Sequence, residues 1–283
     1  MIAVAAAPAR RPRPTVRNRP NAVPAVAIAI GALFVGGLIV VPLVSVFIEA
    51  FSAGAGAFAS AFVDGYTRSA IALTLEVAAA TLVCNTLFGV LAAWTISKYR
   101  FPGKALLQSA IDVPLSVSPV VAGLAILLAV GVHSPFGGWL LRHGLRVAFA
   151  PPGIALATMF VTFPYVAREL ATFLQEQGRD LEEAALSMGA SVWQTFWRVT
   201  LPNGRYALLG GMLLCNARAM GEFGAVSVIS GHIRGYTNTV PLQIEVLYNE
   251  DAFAAAFALS AALALVTIAL SLLRNLAEHR ARR

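Results

Sequence analysis

Charge is what this chain has least of. Only 12% of its 283 residues are Asp, Glu, Lys or Arg, where soluble domains carry roughly a quarter. A surface that poor in charge does not suit a water-soluble globule. Cysteine is almost absent too. Cys84 and Cys215 both sit inside apolar runs, without metal-ligand spacing, so ordinary packing is the expected role of each. The four histidines, His133, His143, His232 and His279, all fall outside the apolar runs. Serine chemistry inside a membrane would need a histidine within a span, and zinc chemistry a pattern such as His-Glu-x-x-His. Neither is present. The chain also lacks Gly-x-x-x-x-Gly-Lys-Ser/Thr, the loop that cradles nucleotide phosphates, and is therefore not expected to be its own ATPase. No internal repeat is evident, which weighs against a secondary transporter built from inverted repeats in one chain.

What the chain does have is hydrocarbon. Hydrophobic residues make up 58%, and the mean hydropathy is +0.73. A helix needs about 20 apolar residues to cross a bilayer. Six runs qualify, near 22–48, 69–97, 105–131, 151–173, 206–231 and 253–273. They are continuous rather than alternating, which disfavours a closed barrel. The expected fold class is therefore all-α, a polytopic membrane protein with six transmembrane helices. The first run is too long for the hydrophobic part of a secretory signal, which is roughly 7–15 residues, so it reads as an uncleaved span. The expected organisation is a disordered basic arm at 1–20, a membrane domain over 21–275 and a short tail at 276–283.

The formal net charge of +7 invites a nucleic-acid reading, but its distribution argues for topology. Arg10, Arg11, Arg13, Arg17 and Arg19 precede the first run, and Lys98, Arg100 and Lys104 lie between the second and third. Arg179, Arg198 and Arg205 lie between the fourth and fifth, while Arg274, Arg280, Arg282 and Arg283 follow the last. The alternate loops hold only Arg68, Arg142, Arg146 and Arg234. The positive-inside rule thus puts both termini and the 175–205 segment in the cytoplasm, with no nucleic acid implied. Trp94 and Tyr99 near an inner boundary and Trp139 near an outer one fit interfacial positions.

Residues 175–205 form a polar island that cannot lie in lipid. Asp180 can cap a helix with Glu183 at its third position, and Gly189 suits the residue just past that helix. Ser191 with Gln194 forms the pattern of a second capping box, and Pro202 is expected to stop the second helix. Two short helices hinged at Gly189 would make a bracket, with Ala184 and Ala185 as a small-residue face and Trp193, Phe196 and Trp197 as anchors. On these residues alone, an amphipathic pair resting on lipid headgroups is an equal reading.

The spacing adds more. Glu183-Ala184-Ala185, Gly189 and then Val199-Thr200-Leu201-Pro202 resembles the EAA loop of ABC-importer permeases. Asn216 through Gly231, Ile233-Arg234-Gly235, Pro241-Leu242-Gln243-Ile244-Glu245, Asp112-Val113-Pro114 with Ser118-Pro119, and Phe163-Pro164-Tyr165 through Leu170 look like the CysW-type sulfate/thiosulfate permeases. The similarity covers roughly residues 25 to 275. The CysT-type and molybdate permeases match the fifth-span wording less well. The resemblance implies a type I importer permease with the MetI-like fold, forming half of a heterodimeric pore. Its implied partners are cytoplasmic ABC ATPase subunits that bind the ATP and magnesium, a second, CysT-like permease and an external sulfate/thiosulfate-binding protein. It further implies that Glu183, Ala184, Ala185, Gly189, Leu201 and Pro202 contact the ATPase. A molybdate or tungstate permease of the same class, or an ion-gradient-driven secondary transporter, are the alternatives.

Arg218 and Glu222 are spaced i, i+4 in the fifth run, about 18 Å along a helix from Tyr206. Two readings stay open for them: Arg218 lines an anion pathway, or the two form an ion pair that neutralises itself. Arg234, in the loop that follows, is a candidate contact for the binding protein. Glu76 and Asp112 are expected near opposite interfaces.

Overall fold

The computed structural model describes residues 22–281, so the basic arm at 1–20, residue 21 and the last two residues of the tail lie outside the described residues. Every element among the described residues is helical. The chain divides into two units, the first ending at Ser45 and the second beginning at Val46. In the first, α1 (Ala22–Val35) runs through a π-helical turn (Gly36–Val40) into the start of α2 (Val41–Ser52). Its mid-section is apolar on all sides and exposed all round, the pattern of a helix solvated by hydrocarbon.

The second unit continues with α3 (Gly54–Ser60), α4 (Gly65–Lys98), α5 (Lys104–Ser116), α6 (Pro119–Val130), α7 (Pro135–Arg142) and α8 (Pro151–Glu176). Then come α9 (Asp180–Ser187), α10 (Val192–Thr195), a π turn (Phe196–Thr200), α11 (Leu201–Asn203), α12 (Arg205–Met220), α13 (Gly224–Ser230), α14 (Val240–Asn249) and α15 (Phe253–Ala281). Four helices are continuous and apolar enough to cross a membrane: Ala25–Ser52, Gly65–Lys98, Pro151–Glu176 and Phe253–Ala277. The third and fifth expected spans are not single rods. Lys104–Ser116 and Pro119–Val130 meet at 113°, and Arg205–Met220 and Gly224–Ser230 at 50°. Counting each bent pair as one span recovers six.

Both breaks have local causes. Val117 and Ser118 are extended, with ψ of 137° and 134°, and for Ser118 the cause is the ring of Pro119, which disfavours the α conformation in the residue directly before it. Pro119 then suits the first turn of α6, where its missing N–H is not needed. In the other pair, α12 ends at Met220, and Glu222 turns its carboxylate back to accept a hydrogen bond from the Ala225 amide at 3.0 Å. That side chain caps α13. The second span also starts earlier than its hydropathy suggests, at Gly65, because the Asp64 carboxylate accepts from the Thr67 amide at 2.9 Å. Arg68 therefore belongs to α4 and not to a loop.

The core is built on α4 against α8. Gly89 lets the backbones approach until a Cβ there would sit 3.0 Å from Val166 Cγ1. Buried Asn85 ties three helices together, donating to Met159 O at 3.2 Å, Thr162 Oγ1 at 2.9 Å and Cys215 Sγ at 3.6 Å. Cys215 is thus a packed thiol inside this cluster. α6 lies on α13, where Leu73, Val77, Ala122, Ile154, Val161, Val226 and Ile229 complete one apolar cluster. The three expected outer loops each carry a short helix, α3, α7 and α14.

Candidate functional site

The polar island folds as the bracket its caps suggest, with two differences. Asp180 is the first residue of α9 rather than its cap. Arg179 occupies the cap position, at φ −124°, without a side-chain bond. The preceding Gly178, at φ +77°, sets that entry angle, and Asp180, Glu182 and Glu183 instead place negative charge in the first turn. Gly189 ends α9 at φ +90°. The Ala190 amide reaches back to Ala185 O at 3.1 Å, the six-residue closure that a left-handed residue permits. No atom lies within 4 Å of a Cβ built at Gly189, so glycine is needed there for conformation, not space.

Ser191 and Gln194 form a complete capping box. The Gln194 amide donates to Ser191 Oγ at 3.2 Å, and the Ser191 amide donates to Gln194 Oε1 at 2.9 Å. The second difference is at Pro202, which does not stop the helix. The chain stays helical to Asn203 because the π turn at Phe196–Thr200 shifts the hydrogen-bond register, with the Leu201 amide reaching Phe196 O. Pro202 then enters the first turn of α11, where no N–H is required.

Of the residues expected to face a partner, Glu183, Ala184, Gly189 and Pro202 are exposed, Leu201 is half-buried and Ala185 is buried. Ala185 therefore packs inside the bracket while Ala184 faces out. Phe196 is the only buried anchor of the three aromatics, its ring 4.6 Å from that of Trp94 on α4. Trp193 and Trp197 stay exposed beside it, at 5.6 Å and 5.2 Å. With Met188 at 83% exposure and Leu181, Leu186 and Val192 also exposed, the bracket presents an apolar surface of the kind that marks an interaction site.

A second link joins the bracket to α4, and no sequence pattern announces it. Lys98, the last residue of α4, places its ammonium 2.8 Å from Glu182 Oε1, with only 8% and 11% of the two side chains exposed. The same ammonium donates to the Gly178 carbonyl, and the Thr200 hydroxyl donates to Glu182 Oε1 at 3.1 Å. Lys98 and Glu182 are far apart in sequence, and no local spacing pairs them.

Arg218 and Glu222 do pair, with Nη2 to Oε2 at 3.1 Å, but not as two rungs of one straight helix. Arg218 lies in the last turn of α12 and Glu222 in the break beyond it. Glu222 is fully buried, and the Arg218 side chain is 36% exposed. One carboxylate thus neutralises Arg218 and caps α13. Arg234 lies toward the far end of the second unit from the bracket. Its guanidinium meets Glu250 Oε2 at 2.5 Å and sits 5.6 Å from the ring centre of Tyr66, at the start of α4. Tyr66 and Lys98 are separated by nearly the whole helix, about 50 Å. Asp112 meets Arg168 at 3.5 Å on the edge of a cavity of about 310 Å³ that Gln108 and Gln175 also line. Glu76 is exposed on α4. Among the described residues, no cluster of three His, Cys, Asp or Glu side chains forms a metal-binding group.

Residues 85–283, which include the bracket and both broken spans, match the family of binding-protein-dependent transport system inner membrane components. The chain belongs to that family. It is 45% identical over 253 residues to the sulfate transport system permease protein CysW of Synechocystis sp., covering 89% of this chain and 92% of that protein. It is 35% identical to the sulfate transport system permease protein CysT of Escherichia coli (strain K12), over 85% of this chain and 86% of that protein. The fold is also that of a chain in the crystal structure of a bacterial alginate ABC transporter in complex with its alginate pentasaccharide-bound periplasmic protein. The TM-score is 0.72 at 16% identity, covering 91% of this chain and 94% of that one. As a family member the chain is a multi-pass membrane protein and a transport component.

Proposed function

We propose that this chain is the CysW-type permease subunit of an ATP-driven sulfate/thiosulfate importer. The observation that carries the reading is the 45% identity to a sulfate permease along almost the full length of both proteins, ten points above the identity to the CysT-type subunit. In this reading the chain forms half of the pore, beside a CysT-like permease. The ATPase subunits supply the nucleotide and magnesium site, in keeping with the missing phosphate loop.

The bracket, at the end of the unit where Lys98, Arg179 and Arg198 gather, is the cytoplasmic docking point. Glu183, Ala184, Gly189 and the exposed Trp193 and Trp197 offer the ATPase a small-residue ridge flanked by rings. Ala185 supports that ridge from behind, and Leu201 and Pro202 fix the exit of the second arm. Arg234, held by Glu250 and Tyr66 at the other end, belongs to the surface offered to the external binding protein. Both termini are then cytoplasmic.

The test is ATP-dependent uptake of radiolabelled sulfate into vesicles carrying the whole complex, with and without excess molybdate. Uptake that needs ATP and the binding protein, and that molybdate does not block, is the expected result. Uptake blocked only by molybdate makes the protein a molybdate permease. Uptake driven by an ion gradient without ATP refutes the importer.

A further inference from the structure

We propose that Lys98 and Glu182 are positioning residues that carry motion of the bracket into the pore, a strut between the docking surface and α4. The inference rests on the permease reading above. Three pieces of chain converge on one carboxylate. Glu182 belongs to α9, Thr200 to the second arm of the bracket, and Lys98 closes α4; both reach Glu182 Oε1, at 3.1 Å and 2.8 Å. Lys98 adds a bond to the carbonyl of Gly178, the hinge at which the bracket leaves α8.

The physics of that junction differs from the other bracket–α4 contact. Trp94 and Phe196 meet as rings tilted at 45°, and apolar contacts are non-directional, so they permit sliding at little cost. A nearly dry charge pair does not. Separating it leaves one or both charges buried and unmatched, so the two ends move together. What Lys98 pulls on matters as well. α4 packs along α8 at Gly89 and is bonded through Asn85 to α8 and to α12, the first half of the broken fifth span. Beside Lys98 at the end of α4, Ser97 also reaches the Ala171 carbonyl of α8 at 3.2 Å. A displacement of α9 therefore reaches the two helices that build the core and the break held by Glu222.

The experiment uses the whole complex in proteoliposomes, with this chain, the second permease, the ATPase and the loaded binding protein. Sulfate uptake and ATP hydrolysis are read in parallel, and retention of the ATPase on the purified complex is checked. Lys98→Met and Glu182→Gln are expected to keep the ATPase bound and hydrolysing while sulfate moved per ATP falls by about tenfold, and the reversed pair Lys98→Glu with Glu182→Lys to restore most of that ratio. Thr200→Val leaves the charges in place, so it tests the strut even if the charge variants fail to assemble. It is expected to lower the ratio by roughly two- to threefold. An unchanged ratio in Thr200→Val and in every assembled charge variant overturns the strut. So does a parallel loss of uptake and hydrolysis, which marks a merely structural pair. A wild-type complex that moves no oxyanion refutes the permease reading itself.

Discussion

Replacing Gly123 by alanine tests a close crossing of two half-helices. Gly123 lies on α6 where it crosses α13, and a Cβ there would stand 2.5 Å from Ala225 O, 2.9 Å from Ala225 Cα and 3.1 Å from Ala225 C. Ordinary separations between non-bonded carbons are about 3.5–4.0 Å, so the methyl group intrudes by roughly an ångström. All three obstructing atoms are backbone, so no side chain can swing aside, and the half-helices must part. Overpacking of this kind costs about 1–3 kcal/mol, and a backbone clash belongs at the upper end. Alanine recovers up to about 1 kcal/mol from helix propensity. The net loss is about 2 kcal/mol, or a melting midpoint lower by on the order of 4–8 °C for a chain of this size.

Two controls bracket the result. Gly37→Ala, with no atom within 4 Å of its Cβ, should not lower the midpoint. Gly211→Ala, whose Cβ would lie 3.2 Å from Glu169 Cβ and Val166 Cα, should fall between them. The assay is thermal unfolding of the purified protein in detergent by circular dichroism, at one scan rate for all variants. A Gly123→Ala protein that melts with or above the wild type would show that α6 and α13 do not cross so closely, and that the two broken spans do not meet as described.

Glu222→Ala should destabilise by about 1–3 kcal/mol, because it leaves the Ala225 amide and the Arg218 guanidinium without their shared carboxylate. Glu222→Gln keeps an oxygen for the Ala225 amide and should recover about 1 kcal/mol of that, read as the difference in melting midpoint. Arg218→Gln is expected to lower the midpoint yet leave uptake in the fraction that assembles; abolished uptake in a fully assembled complex would instead put Arg218 on the anion's path. Ser191→Ala removes the capping box from the bracket at a cost of about 1 kcal/mol, and should speed tryptic cleavage at Arg179 or Arg198. An unchanged cleavage rate would mean that partner-free packing alone holds the second arm.

Much of the site is legible in the sequence because its determinants are local. Gly189 is a helix terminator by virtue of its own backbone, and Ser191 with Gln194 caps a helix using atoms three residues apart; both act as expected. The departures are of the same local kind. A proline usually ends a helix, but a π turn upstream of Pro202 removes the need for its missing N–H. Asp180 loses the cap position because Gly178 and Arg179 set the turn before it. The broken third span carries a signal, Pro119, that a hydropathy average smooths away.

Composition alone determined that this protein is a helical membrane chain, since six long apolar runs have no other stable home and backbone groups in lipid must be satisfied within each helix. Cap chemistry and charge placement added the bracket and the side of the membrane it is expected to face. Tertiary structure decided everything that joins distant residues. It set α6 on α13 at Gly123, gave Glu222 its double duty to Arg218 and the Ala225 amide, and closed Lys98, Glu182 and Thr200 into one buried junction. The reason is that burial of apolar surface has no direction. It tells which segments leave water, whereas which faces meet depends on packing and on polar groups finding partners that the linear order does not bring together.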